Sequence, residues 1–112
     1  MDMDKNIYSK ISELKKLYKF KNPEQIESFL GGSGQHLVDV LFKAHNRILK
    51  VFKDNVKSIQ LEYENDVIEC LFVVIETRLK PKENMLLLEQ IDKDWWLKLD
   101  FKDKERLIIF VR

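Results

Sequence analysis

One cysteine in 112 residues, Cys70, leaves no internal disulfide framework to build from. Its neighbours Ile68, Leu71 and Phe72 predict a buried, inert thiol. Three glycines and two prolines leave no room for a flexible linker or a low-complexity segment. Neither sign of charge is in excess, because 20 Lys and Arg face 19 Asp and Glu, so no global field draws the chain to nucleic acid or anionic lipid. A charged partner has to be met by a local patch. No uninterrupted apolar stretch approaches the roughly 20 residues that span a bilayer, and the acidic start at Asp2 and Asp4 does not look like a secretory signal. These absences together predict a soluble, cytoplasmic protein with no membrane association.

What is present is ordinary globular composition, 45% hydrophobic and 35% charged, at a length that suits one domain and not two. Apolar residues Ile7, Ile11, Leu14, Leu17 and Tyr18 recur at intervals of three and four, which predicts an amphipathic helix over 6–18. Asn22-Pro23-Glu24-Gln25 carries a helix start, with Asn as N-cap, Pro at the first helical position and Gln placed for a capping box. That helix buries Ile26, Phe29 and Leu30 and stops at Gly31-Gly32. Ser33 is placed to cap a third helix, whose stripe runs through Leu37, Val38, Leu41, Phe42, Ile48, Leu49 and Phe52.

From Ser58 the period changes to two. Ile59, Leu61 and Tyr63 alternate with Gln60, Glu62 and Glu64, the pattern of a strand wet on one face, and a turn is expected at Glu64-Asn65-Asp66. The next strand, expected over 67–79, is apolar at both parities: Ile68, Cys70, Phe72 and Val74 on one side, Leu71, Val73 and Ile75 on the other. Lys80-Pro81-Lys82-Glu83 opens a fourth helix with Met85, Leu88 and Ile91 inward. Trp95, Leu97, Leu99 and Phe101 then alternate with Trp96, Lys98, Asp100 and Lys102, which reads as a third strand, and residues 106–112 as a fourth. The fold expected is α+β, one domain over 1–112. A helical part, 1–54, is followed by β-β-α-β-β over 58–112, giving a mostly antiparallel four-stranded sheet of two hairpins packed against the helices.

Candidate chemistry is thin. Gly31-Gly32-Ser33-Gly34 precedes a helix, but a nucleotide loop needs a strand before it and, in the P-loop, a Lys at its end. His36 and His45 lie nine residues apart on one helix and so point to different faces, which rules out a shared metal. His45 falls in the apolar stripe, as a half-buried imidazole, and His36 is expected to be exposed. Ser33 with His36 lacks the strand-to-helix elbow of a catalytic serine. No cofactor and no metal are expected. Local charge is uneven: residues 1–22 hold six Lys against three acids, and residues 58–79 hold five acids against Arg78 alone. The basic helix has too few aromatics beside its lysines for a nucleic-acid surface.

The segment Thr77-Arg78-Leu79-Lys80-Pro81-Lys82-Glu83, followed by Leu88 and Ile91-Asp92-Lys93-Asp94-Trp95-Trp96-Leu97, resembles a group of small bacterial proteins common in cyanobacteria. In that group an acidic strand pair leads to a Thr-x-Leu-Ser-Pro-Glu-like helix start and a Leu-Asp-x-x-Trp-Trp-Leu motif. The chain departs from it at Lys80 and across 100–105. The resemblance implies no activity, cofactor or catalytic residue; proteins of this kind are often one member of a two-gene pair such as a toxin-antitoxin module.

Two readings of function follow. In the first, the protein is a non-enzymatic interaction module, a homodimer or a partner subunit, whose contacts are the spare apolar face of Leu71, Val73 and Ile75 together with an outward Trp96. Trp96 could equally lie under the first helix, while Trp95 faces the core. In the second, an enzyme or nucleic-acid-processing component uses Lys15, Lys16, His36 or the acidic hairpin.

Overall fold

A computed structural model describes the chain from residue 2 to residue 112, with side chains from Asn6 onward. The acidic side chains at Asp2 and Asp4, read above as arguing against a secretory signal, lie outside the described residues.

The helices follow their apolar periods. Helix α1 (Asp2–Leu17) buries Ile11 and Leu14, and Tyr18 just beyond it closes the same stripe. Helix α2 (Pro23–Gly31) begins with Pro at its first turn and buries Ile26, Phe29 and Leu30. Helix α3 (Leu37–Phe52) buries Leu37, Val38, Leu41, Ala44, Ile48 and Phe52 along one side, the spacing of a helix lying on a core. Gly34 between α2 and α3 is there for close approach, since a Cβ would stand 2.6 Å from the ring of Phe29. Ser33 is not the cap: His36 stands at the cap position of α3, without a side-chain cap bond, and the Ser33 hydroxyl donates instead to Glu69.

The sheet has four strands in the order β1-β2-β3-β4: Lys19–Phe20, Val56–Glu64, Cys70–Thr77 and Leu107–Val111. Only β2 and β3 form an antiparallel hairpin; β1 runs parallel to β2, and β4 parallel to β3. The sheet is therefore mixed, and the expected pair of hairpins is corrected. The alternation over 95–101 does not make a strand. Ile91 and Trp95 are one helical turn apart and both buried, so helix α4 (Pro81–Asp94) carries its packing face past Asp94, and the Trp95 amide donates to the Ile91 carbonyl. A 3-10 turn (Trp96–Lys98) and helix α5 (Phe101–Arg106) follow, with Leu97 and Phe101 exposed. Two parallel strands need a long crossover between them, and α4 and α5 supply it.

The strand that was not foreseen, β1, is two residues long, too short to show a period. It is extended by a side chain. Asn22 accepts the Tyr63 amide at Oδ1 (3.1 Å) and donates from Nδ2 to the Tyr63 carbonyl (3.2 Å), so its amide continues the ladder where the backbone turns into α2. Its Nδ2 also meets Gln25 Oε1, and Asn22 makes no cap bond to the helix it precedes. At the other end of the sheet the Thr77 hydroxyl donates to Asn84 Oδ1 (2.6 Å), a buried bond that ties the first turn of α4 to the end of β3.

Register decides which parity of β3 meets the helices. Ile59 pairs with Ile75, Leu61 with Val73 and Tyr63 with Leu71, and the helices lie on that side. Leu71, Val73 and Ile75, expected to be the spare face, are each 0% exposed and form the centre of the core. The chain covers them itself, so they are not available to a partner. The open face is the other parity, Cys70, Phe72 and Val74.

Candidate functional site

The open face is built by the four strands in register, with Lys19 of β1 beside Gln60 of β2. Glu62, Phe72 and Ile108 form one row across β2, β3 and β4, and Gln60, Val74 and Phe110 form the next. Glu64 and Cys70 begin a third row at the hairpin end. Val74 in the middle strand is screened by its neighbours, but Phe110 is 50% exposed and Ile108 38%. The rings of Phe72 and Phe110 pack diagonally, with centroids 5.3 Å apart at 47°. Helices cover one side of this sheet. On the other, these four apolar residues make a continuous strip with no element seated on it among the described residues.

Two shallow hollows share Phe72 and Glu64. One, of about 350 Å³, lies between Glu62, Phe110 and Arg112. The other, of about 410 Å³, lies between Asp66, Cys70, Glu105 and Ile108. Carboxylates thus border the strip along β2 and around the hairpin. Of these, Glu62 has a cation in contact, Lys21 Nζ at 3.4 Å, and Glu64, Asp66 and Glu105 make no ion pair among the described residues.

Cys70 is half-buried on this face, which corrects the expectation of a buried thiol. Partial burial pushes its pKa up, and the carboxylates of Glu64 and Asp66 push the same way against an opposing Arg106. The thiolate is the reactive form, so labelling of the native protein by maleimide at neutral pH should be measurable but slower than that of the unfolded chain, and should accelerate as pH rises. A stopped-flow or mass-spectrometric time course checks this. Native labelling as fast as that of the unfolded chain would contradict the placement.

The other candidates do not converge. Lys15 pairs with Glu27 at 3.3 Å and Lys16 with Glu13 at 3.3 Å, on the outer face of α1. His36 is not exposed as expected: its Nδ1 lies 2.7 Å from Oδ1 of the buried Asp103, an imidazole N–H donating to a carboxylate that fastens α5 to the start of α3. Ser33 and His36 have different partners and form no couple. His45 lies edge-on to Tyr18 with ring centroids 5.5 Å apart, and burial lowers its pKa. In the acidic hairpin, Glu69 accepts hydrogen bonds from Tyr63 (2.6 Å) and Ser33 (3.2 Å), a bond that raises the Tyr63 pKa.

Trp96 is partly buried against the core, with Lys104 Nζ 5.6 Å from its ring centroid. Its indole N–H is buried and has no hydrogen-bond partner among the described residues. It sits in a small crevice with Leu88, Asp92, Ile108 and Ile109 beside β4. Among the described residues no group of three or more His, Cys, Asp or Glu is placed to hold a metal, and no helix is long and apolar enough to cross a membrane. Sequence reasoning missed Ile108, Phe110 and Glu105 as members of one surface with Phe72; the signal available was the double-sided apolar pattern of β3. Comparison with protein-family models, with curated proteins and with solved structures returned no match.

Proposed function

We propose that the protein is a non-enzymatic interaction module whose partner surface is the open face of the sheet. The observation that carries this reading is the apolar strip in which Ile108 and Phe110 are exposed, Phe72 is half-exposed and Val74 is screened by these neighbours, in a chain whose opposite sheet face is packed by helices. Exposed apolar rows of this kind on a small protein mark interaction sites, and they are costly to keep otherwise because they favour non-specific association. A partner subunit encoded beside this chain, as in a two-gene pair, is the form that the resemblance in the C-terminal half suggests. Trp96, near the free side of β4, lies at the margin of the same region.

The enzyme or nucleic-acid alternative lacks a converging set of groups, since Lys15, Lys16, His36 and the acidic hairpin each bond to a different partner. Phe110→Lys tests the interaction reading. It places a charge on the half-exposed ring position and leaves the core alone, so the variant should keep the wild-type urea midpoint and lose co-purification with the product of the adjacent gene, or lose self-association if light scattering shows the wild type to be an oligomer. A complex or oligomer that survives Phe110→Lys unchanged would refute the open face as the binding surface.

A further inference from the structure

The two edges of the sheet are finished differently. On one side β1 is two residues long and carries Lys19, Lys21 follows it, and the Asn22 side chain closes the ladder on Tyr63, so little backbone is left to pair. On the other side β4 is five residues, Leu107-Ile108-Ile109-Phe110-Val111, with no charge, proline or glycine among them. The Arg112 amide donates to the Ile75 carbonyl (2.8 Å) and the Arg112 carbonyl accepts from the Thr77 amide (3.1 Å), which fixes the parity of the ladder. Ile108 and Phe110 therefore turn their N–H and C=O groups to β3, and those of Leu107, Ile109 and Val111 point away from the sheet. Among the described residues nothing bonds to these outward groups, and Ile109 and Val111 are only half-buried. A further donor beside this edge is unmet, the buried Trp96 indole N–H in the crevice along Ile108 and Ile109.

We infer that two copies of the chain join along β4, strand to strand and antiparallel about a two-fold axis at Ile109, so that their four-stranded sheets merge into one. Backbone chemistry selects the class of occupant, because only another extended segment offers N–H and C=O groups at the spacing of a strand edge. The outward groups of β4 are symmetric about Ile109. In that register Ile109 meets Ile109 of the second copy, Leu107 meets Val111, and every outward group is paired. On the open face Ile108 of each copy then stands beside Phe110 of the other, a β-branched and aromatic cross-strand pair made twice. All five side chains of the strand are apolar, so the contact desolvates no charge. The nearest charges are Arg112 and Arg106, which ends α5; both lie outside the paired strand, where water and salt screen their approach to one another. The axis stands perpendicular to the sheet, so both open faces remain on one side and the apolar strip is doubled, not covered.

Amide hydrogen exchange of the full wild-type chain at low and high micromolar concentration, with light scattering at the same concentrations, tests this. A free edge protects the amides of Ile108, Phe110 and Arg112 and leaves those of Ile109 and Val111 open, whereas a joined edge protects both parities. The wild type should be a dimer at high micromolar concentration. There the Ile109 and Val111 amides should exchange about tenfold or more slowly than in the diluted protein, with Ile108 and Phe110 protected at both concentrations. Val111→Pro removes one outward N–H from each copy and no bond to β3, so it should weaken the dimer about tenfold or more. Its urea midpoint at low concentration should stay close to that of the wild type. A wild type that is monomeric at high micromolar concentration overturns the inference, as does a dimer whose Ile109 and Val111 amides stay open, whatever Val111→Pro does to folding. Loss of such a dimer in Phe110→Lys would place the contact on the open face instead. Protection of these amides that appears only with the product of the adjacent gene overturns the second copy as occupant and gives the edge to a different extended segment.

Discussion

Phe52→Ala should destabilise the protein by about 3–5 kcal/mol, and Phe110→Ala by about 1 kcal/mol or less. The two rings are chemically identical and differ in what surrounds them. Phe52 ends α3 and is 0% exposed, inside the cluster formed by the helices and the inner sheet face. Its removal deletes a ring from a close-packed interior that can only partly collapse into the space. Phe110 is 50% exposed and touches Phe72 on the outer face, so truncation returns little surface to water that was not already wet. Since domains of this size are stable by only about 5–15 kcal/mol, the first substitution removes a large share of the total. Urea unfolding of both variants measures the difference. Comparable losses at the two positions would mean that the outer face is packed in solution. With Phe110→Ala stable, a failure to bind partner in the same variant separates the surface from the fold.

The helical layer was legible because each helix repeats its apolar residues several times: α1, α2, α3 and α4 fall near their expected places, but Met85, expected inward on α4, and Leu49, expected in the stripe of α3, are exposed. The sheet was legible only in its hairpin. Trp95, Leu97, Leu99 and Phe101 satisfy a period of two, yet Trp95 also stands four residues after Ile91, and burial of that pair continues the helix at the expense of the strand. Nothing local distinguishes the two readings; the need for a crossover between parallel β3 and β4 does, and that is a property of the whole topology. The same holds for the β4 side of the candidate surface. Both parities of β3 are apolar in the sequence, so a spare face could be read there. Its identity depends on the odd length of the loop over 65–69, which sets Leu71, Val73 and Ile75 beside Ile59, Leu61 and Tyr63 under the helices. The expected three-residue turn at Glu64-Asn65-Asp66 is also odd and gives the same facing, so the parity was fixed by that turn and the reading of Leu71, Val73 and Ile75 as spare did not follow it. Ile108 and Phe110 could join the surface only once β4 was known to lie parallel beside β3.

Stability should fall steeply above about pH 10, and Tyr18 should account for about 1.4 kcal/mol of loss per pH unit there. Its hydroxyl donates to the Leu41 carbonyl at 2.6 Å, its ring stands against His45, and the side chain is 2% exposed. Burial raises its pKa far above the ordinary value of 10, because a phenolate in that site would lose its hydration and gain no cation. The native state therefore holds the proton while the unfolded chain releases it. Below pH 10 both states are protonated and the contribution is complete; above it the unfolded state is progressively favoured, until the native tyrosine itself ionises. Tyr18→Phe removes that coupling. At neutral pH the variant should be about 1 kcal/mol less stable, the usual net worth of one hydrogen bond, and its stability should decline more gently than that of the wild type as pH climbs past 10. Tyr63 is raised in the same direction through its bond to Glu69, so Tyr63→Phe serves as the comparison. Lysine deprotonation acts on all three proteins alike and cancels in the differences. Urea midpoints measured at several pH values between neutrality and the alkaline limit give the slopes. Parallel slopes for wild type and Tyr18→Phe would show that the phenol reaches solvent, and that the seam between α1 and α3 is not closed around it.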